Sequence, residues 1–379
     1  MDNVKSKSSA KSLINVSKEK ISFPTCRDLL IKGFEMAYDF CEKPKSGFCD
    51  FIVSALQHLN QIEHYVNSYN NETISKLVAS NGSSNNELNE TELKELVSRF
   101  KERWKSENQF FTIFDVSAVK EVYIDPRIKD VLGFDETDFK TASIEVLDKE
   151  FSIYEREELY NIMRFALIAY FLFTMPLFKL NPEKDYYVAK FRIRTHRSRN
   201  KQLKERKYAY AEKKCFFSYK YNAEGRMSSQ YHFDLYTILA EPEHDYFYSN
   251  IISNPEQSIY MNMVSYLINL FLLDVSPKYL LLLDEKQHTD RYKEIADKVE
   301  KNIYKHAGLS LKTTEHQVAD YFSKSIRKRI AQVFNQWDQR RNGNLIHIAN
   351  DIEAVERAKQ LGLLPIPANV KKLMYQHVR

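Results

Sequence analysis

The scarcity and spacing of glycine limit what this chain can fold into. Eight glycines are spread over 379 residues, and the two closest, Gly33 and Gly47, are 14 positions apart. Glycine-rich phosphate-binding loops such as G-x-G-x-x-G and G-x-x-x-x-G-K-[ST] need several glycines within about eight residues. The sequence therefore excludes these loops, which removes the main sequence evidence for the usual classes of nucleotide-dependent enzyme.

Composition and cysteine usage indicate a folded protein with reduced thiols. The chain is 43% hydrophobic and 28% charged, and its length favours two or three domains. Its four cysteines form no C-x-x-C pair, so we interpret them as free thiols of a cytoplasmic protein. One of them, Cys215, is expected to be a small core residue of a strand.

Neither a secretion signal nor a membrane span is expected. Residues 1–20 are polar and rich in lysine and serine, which predicts a disordered tail. The most apolar run, residues 165–178, has 14 residues, whereas a membrane-spanning helix needs about 20. This run is expected to be a buried helix.

Charge is distributed unevenly along the chain. Residues 285–379 carry a net charge of +7, and the rest of the chain carries −2. A basic C-terminal quarter indicates a polyanionic partner. A solvated helical face would give the same charge pattern, so both interpretations stay open.

The hydrophobic periodicity changes twice along the sequence. It is helical over residues 21–104, with a Ser/Asn-rich linker at 67–89. A strand-like pattern follows. A strand pair is expected at 109–116 and 121–124, followed by a short helix closed by Gly133 and a long helix at 156–173. Three long strands are then expected at 186–194, 208–219 and 227–240. Residues 241–284 are again expected to be a helical connector, broken at Ser276-Pro277.

The middle region resembles the PAS sensor family. The resemblance lies in residues 125–135, which end at Leu132-Gly133-Phe134, and in the turn at 222–226. Residues 184–188 and 192–194 are similar to PAS-like domains of bacterial regulators with a LuxR-type C-terminus. The resemblance implies an α+β fold: a PAS-like five-stranded antiparallel sheet over 105–240, flanked by all-α N-terminal and C-terminal regions. Another α+β domain with a five-stranded antiparallel sheet remains the alternative.

The PAS resemblance also implies a pocket between sheet and helix. Its aromatic lining would suit a small apolar or planar molecule. No histidine or cysteine occupies a recognisable haem or flavin position, so no cofactor is expected. A packed core without ligand is the alternative.

Residues 285–379 are predicted to be a basic helical DNA-binding domain. A DNA-reading helix exposes polar residues to the groove and buries its other face on a supporting helix. The supporting helix is expected at 291–299, and Gly308 is expected to end whichever helix precedes it. Ser310 would be the N-cap of a second helix starting at Leu311, whose buried stripe is Val318, Phe322, Ile326, Ile330, Val333 and Trp337.

The candidate DNA contacts follow from residue type. Lys312 and Thr313 would take a phosphate at the helix N-terminus, and Gln317 would hydrogen-bond a base edge, preferring adenine. Further phosphate contacts are expected from four basic residues: Lys324, Arg327, Lys328 and Arg329. Asp320 lies near the same face and would repel DNA unless it is paired.

This segment is also similar to the LuxR-type helix-turn-helix family. Residues 293–296 and 309–316 resemble its Lys-Glu-Ile-Ala and Leu-Ser-x-x-Thr-Val-x-x-His motifs, and residues 354–364 resemble its closing helix. By that resemblance the recognition helix begins with residues 313–316, which adds His316 to the DNA contacts. Ser310 follows Ala296 by 14 positions, whereas the family places it six positions after the alanine.

No catalytic or metal-binding motif is recognised. Ten histidines give no H-E-x-x-H spacing, and no G-x-S-x-G or kinase signature occurs. The leading hypothesis is a non-enzymatic transcription regulator that binds DNA, with a PAS-like sensory or dimerisation domain and no metal. The alternatives are a protein-interaction module whose long basic helix binds a partner, and an enzyme with an unfamiliar site.

Overall fold

A computed structural model describes residues 21–68, 90–104, 106–115, 120–135, 156–175, 177–181, 184–195, 208–221, 227–240, 247–338 and 346–379. Over these residues the protein is α+β, with a six-stranded antiparallel sheet and flanking helices. The expected tail at 1–20, most of the expected linker at 67–89 and the turn at 222–226 lie outside the described residues.

Three helices precede the sheet in the part of the chain that the structure describes. They are α1 (Cys26–Phe40), α2 (Phe48–Ser68) and α3 (Glu90–Arg103), and a short 3₁₀ turn joins the first two. Helix α1 begins at a reciprocal cap, in which Thr25 and Asp28 each accept a hydrogen bond from the other's backbone N–H. The helical pattern predicted for this region is confirmed.

The sheet contains the five expected strands and one more. The strands are β1 (Gln109–Asp115), β2 (Lys120–Ile124), β3 (Tyr186–Arg194), β4 (Tyr208–Tyr221), β5 (Met227–Leu239) and β6 (Tyr248–Ile252). Their order across the sheet is β2-β1-β5-β4-β3-β6. Between β2 and β3 come the short helix α4 (Ile128–Val131) and the long apolar helix α5 (Arg156–Thr174).

Strand β6 corrects the prediction that residues 241–284 are helical throughout. It pairs with the outer edge of β3, where Ile251 lies opposite Tyr187. The side-chain amide of Asn262 holds it in place, accepting from the Ile251 N–H and donating to the Ile251 carbonyl, each over 2.8 Å. This strand depends on its contacts with β3 and with the following helix, and the hydrophobic pattern of residues 248–252 alone does not show those contacts.

The two faces of the sheet are covered by different helices. On one face, Phe100 and Trp104 of the α3 region pack on Phe111, Phe216 and Phe233. On the other face lies α5, whose apolar residues join a continuous core with α1, α2 and the C-terminal helices. The second face therefore connects the sheet to the rest of the protein.

The C-terminal region is helical. Its elements are α6 (Pro255–Leu273), α7 (Pro277–Lys286), α8 (Tyr292–Ala307), α9 (Glu315–Asp320), a π-helical turn (Tyr321–Ile326), α10 (Arg327–Asp338), α11 (Asp351–Gln360) and α12 (Ala368–Gln376). The break at Ser276-Pro277 and the end of α8 at Gly308, which has φ 67°, agree with the sequence analysis. Ion pairs of 2.7 Å from Lys371 of α12 to Asp284 and Glu285 tie the last helix to α7.

The second helix of the predicted DNA-binding segment begins four residues later than expected. Its N-cap is Thr314, which forms a reciprocal capping box with Gln317, and residues 309–314 are not helical. The Ser310 hydroxyl donates instead to the Glu300 carboxylate of α8. The predicted stripe is buried at Val318, Phe322, Ile326, Ile330 and Val333, while the side chain of Trp337 lies outside those described.

Among the described residues, no helix taken singly has the length and apolar character needed to cross a membrane. Helices α6 and α7 meet these criteria only as a pair, and their axes are bent by 110°. Helix α6 is buried on nearly all sides within the core, which explains its uniform hydrophobicity.

Candidate functional site

The predicted DNA-binding residues divide into exposed and tethered groups. Thr313 is half-buried, as are Arg327 and Arg329. The exposed residues are Lys312, His316, Gln317, Lys324 and Lys328. Only part of the predicted set therefore faces solvent.

The two arginines serve contacts within the chain. Arg327 donates from Nη1 to the Ala349 carbonyl over 2.6 Å, and its Nε lies 3.5 Å from Asp351 of α11. Arg329 donates from Nη2 to the Leu273 carbonyl at the end of α6, over 2.7 Å. These bonds hold α10 against its neighbours and commit both guanidinium groups to contacts within the chain.

The exposed segment contains both basic and acidic side chains, and some of its polar groups already bind neighbours within the chain. Lys324 pairs with Asp320 over 3.2 Å, one helical turn earlier, and both side chains are mostly exposed. The amide oxygen of Gln317 accepts from the Thr314 N–H, and bidentate reading of adenine needs both the oxygen and the nitrogen of that amide. Glu315 is also exposed at the start of α9. This end of the helix is less cationic than the sequence suggests.

A groove of about 490 Å³ runs beside α10. Its lining is polar and partly basic, and it comes from the π-helical turn, from α10 and from the segment before α11: Ser323, Arg327, Lys328, Gln332, Asn335 and His347. Lys328 lines this groove and is exposed, so an anionic group could approach it.

A buried polar cluster lies on the sheet face beneath α5. Across the strands, Tyr187 of β3 pairs with Cys215 of β4, Cys215 pairs with Asp234 of β5, and Asp234 pairs with Thr112 of β1. His232 stands two residues from Asp234 and therefore on the same face. The Cys215 sulfur, a His232 ring nitrogen and an Asp234 carboxylate oxygen all lie within 4.8 Å of one another.

Several polar atoms of this cluster have no hydrogen-bond partner among the described residues. They are the Tyr187 hydroxyl, His232 Nε2 and Asp234 Oδ1. Buried polar atoms in native proteins are nearly always paired, and groups of exceptions occur at sites that hold a ligand, water or ion. The cluster is therefore the strongest candidate for a binding site on the sheet.

The electrostatics of the cluster follow from its burial. Lys213 pairs with Asp234 over 2.5 Å. Burial, and then the charge of Asp234, raise the pKa of Glu121 to about 8, so this carboxyl is mostly protonated at neutral pH. Burial lowers the pKa of His232 to about 4, which leaves a neutral imidazole. Burial also raises the pKa of the Cys215 thiol well above its usual value.

Sequence reasoning missed this cluster. It searched for metal ligands at short helical or loop spacings, whereas Cys215 lies 17 residues before His232 and meets it only through strand pairing. The sequence did contain a signal: His232 and Asp234 are two residues apart in a predicted strand and so share a face, and that strand was expected to pair with the strand that contains Cys215. Cys215 is buried in the core, as expected.

A second buried network joins α5 to the C-terminal helices. Arg164 is fully buried and donates to the side-chain oxygens of Asn269 and Asn161 and to the Leu361 carbonyl, over 2.7, 3.0 and 2.8 Å. Asn269 also donates to the Leu361 carbonyl, over 3.1 Å. The end of α11 is thus fixed to the helix that covers the polar cluster.

All four cysteines lie in the described ranges and are free thiols. No protein-family model matches the chain, and no curated protein is significantly similar to it in sequence. The resemblances to PAS and LuxR-type proteins accordingly remain predictions.

Proposed function

We propose that the protein is a cytoplasmic, DNA-binding transcription regulator with a PAS-like sensory domain. The main support for this proposal is that α9, the π-helical turn and α10 form one continuous helical rod. The apolar stripe of this rod is buried, and its exposed side bears Lys324 and Lys328. Lys312 is exposed just before this rod. A buried stripe opposite a basic face is the arrangement that a DNA-contacting helix requires.

The sensory part of the proposal draws on the element order. Two strands, a short helix, a long helix and three antiparallel strands follow one another as the PAS resemblance implies, with β6 as an addition at the edge. The polar cluster beneath α5 supports ligand binding at this face. The Arg164 network supports communication from α5 to the C-terminal helices.

In this proposal the exposed lysines contact DNA phosphates. Lys312, Lys324 and Lys328 supply the salt-sensitive affinity. Arg327 and Arg329 instead hold the rod in position through carbonyl oxygens. His316 is an exposed donor near the helix start, where a base edge or phosphate would be met.

Filter binding of a mixed-sequence DNA duplex, repeated over a range of salt concentrations, tests the proposal. Affinity should fall with salt with a log–log slope of about −0.9 per phosphate contact. Lys324→Gln should make the slope shallower by about 0.9. Lys94→Gln is the matched control, because Lys94 is as exposed and also has an acidic partner one turn earlier, Glu90. No binding at low salt would overturn the proposal.

A protein-interaction module, including a homodimer, is the second candidate. It is favoured by the hydrogen bonds that Arg327 and Arg329 donate within the chain, and by the exposed carboxylates of Glu315 and Asp320. These acids would repel DNA but could pair with basic groups of a partner protein. Sedimentation of the full chain over a range of concentrations tests this: a dimer weakened by Lys328→Glu, together with no DNA binding, would favour it.

A further inference from the structure

The cluster of Cys215, His232 and Asp234 combines three ligand types on one sheet face. Thiolate sulfur, imidazole nitrogen and carboxylate oxygen are the donors found in zinc sites. We propose that these three side chains form a binding site for a zinc-class divalent metal ion. This inference does not depend on DNA binding by the C-terminal helices.

The geometry fits a single small ion. Ligand atoms around a tetrahedral zinc ion lie about 3.3–3.8 Å apart, given metal–ligand distances of about 2.0–2.3 Å. The three donor atoms here already lie within 4.8 Å of one another, so modest side-chain rotation would close the site. The β4–β5 pairing fixes their backbones, because Cys215 stands opposite Asp234 and Phe217 stands opposite His232.

The hydrogen bonding leaves ligand positions open. Lys213 occupies Asp234 Oδ2, whereas Asp234 Oδ1 and His232 Nε2 have no partner among the described residues. Asp234 is 2% exposed and Cys215 is 1% exposed, so solvent water does not replace the missing partners at the surface. A metal ion would satisfy these atoms together, which no single hydrogen bond could do.

With a divalent cation bound, the ion, a Cys215 thiolate, the Asp234 carboxylate and Lys213 would together carry a net charge of +1. On binding, the Cys215 thiol loses its proton to solvent and becomes a thiolate, while His232 binds as neutral imidazole. A thiolate and the Asp234 carboxylate then carry two negative charges against the two positive charges of the ion, and Lys213 adds one positive charge. Three protein ligands leave a fourth tetrahedral position, and Tyr187 and Thr112 stand in the same register row as Cys215 and Asp234.

Titration with Co²⁺, which replaces zinc and is visible spectroscopically, tests the site. The full untagged chain is stripped with a chelator and then titrated, and metal content after Zn²⁺ loading and dialysis is measured in parallel. We expect one ion per chain and a near-ultraviolet sulfur-to-cobalt charge-transfer band. Cys215→Ser should abolish the band and weaken Zn²⁺ binding by more than about 100-fold, because changes to outer-shell groups alone cost 10–100-fold.

Two cysteine variants serve as controls. Cys26→Ser changes another buried thiol, in α1, and Cys49→Ser changes an exposed thiol in α2, so both should keep the band and the stoichiometry. His232→Gln keeps the sulfur but removes the imidazole, and it should shift the band and weaken binding by more than tenfold, which tests the site even if Cys215→Ser fails to fold. Binding of less than one ion, or a band that survives Cys215→Ser or disappears in Cys26→Ser, would overturn the proposal.

Discussion

Arg164 donates a 2.8 Å hydrogen bond from Nη2 to the carbonyl oxygen of Leu361, which lies 197 residues further along the chain. Arg164 belongs to the helix that covers the polar face of the sheet, and Leu361 ends a helix of the C-terminal region. A shift of α5 caused by a ligand on the sheet would therefore move the end of α11 directly. This contact is the physical link that a sensory function needs.

The Arg164 network should contribute strongly to stability. Arg164→Met keeps the aliphatic length but leaves the Leu361 carbonyl and the Asn161 side-chain oxygen without this donor, so we expect a loss of about 3 kcal/mol in the free energy of unfolding. Urea unfolding followed by circular dichroism measures the loss. Arg291→Met, whose side chain is 82% exposed, should change stability by less than about 0.5 kcal/mol. Equal midpoints for the two variants would show that the network is not structural.

Gly362 should tolerate a side chain less well than Gly308. Both residues have positive φ, 68° and 67°, so alanine is strained at either position, at a cost of about 1 kcal/mol. A Cβ at Gly362 would also lie 2.6 Å from Phe165 Cζ, whereas nothing lies within 4 Å of a Cβ at Gly308. Gly362→Ala should therefore lower the free energy of unfolding by about 1–3 kcal/mol more than Gly308→Ala, and its melting temperature should fall further. Identical thermal shifts would contradict the close packing of this turn on α5.

Glu121 should make stability fall as pH rises from about 4.5 to 8. Its folded-state pKa is raised to about 8, so over this range the folded chain retains a proton that the unfolded chain has released. The difference in unfolding free energy between Glu121→Gln and the unchanged protein should therefore move in favour of the variant, by about 1 kcal/mol per pH unit. Denaturant unfolding at several pH values measures it. A flat difference for Glu121→Gln over this range would contradict the raised pKa.

Lys371 should be required for stability, whereas its neighbour Lys372 should not. It holds the buried carboxylates of Asp284 and Glu285, so Lys371→Met leaves two charges without this partner and should cost about 2–3 kcal/mol. Lys372 is exposed on the same helix, and Lys372→Met should be nearly neutral. Chemical denaturation of both variants at neutral pH measures the contrast. Similar stabilities would mean that α12 is held by apolar packing alone.

The sequence was most informative where the hydrophobic pattern is regular. The alternation that predicts β3, β4 and β5 and the periodicity that predicts α5 both report burial, and burial decides these elements. The stripe from Val318 to Val333 was predicted for the same reason. Local chemistry was ambiguous at the start of α9, where both Ser310 and Thr314 are good N-caps, and a distant carboxylate, Glu300, binds the hydroxyl of the first.

Features that depend on long-range pairing were not predictable. Strand β6 forms because its backbone pairs with the edge of β3 and hydrogen-bonds to the side-chain amide of Asn262. The cluster of Cys215, His232 and Asp234 exists because two strands pair in one register, and a one-residue slip would send the sulfur to the opposite face. The tethering of Arg327 and Arg329 likewise depends on α6 and α11, which are far away in sequence.

The salt dependence of DNA affinity, measured for the unchanged protein and for the triple variant Lys312→Gln, Lys324→Gln and Lys328→Gln, tests the central claim most directly. The account predicts a steep loss of affinity with salt for the unchanged protein. In the triple variant the log–log slope should become shallower by about 2.7, three times the value for one phosphate contact. A slope that is unaltered by the triple substitution, or an unchanged protein that does not bind DNA at low salt, would contradict it.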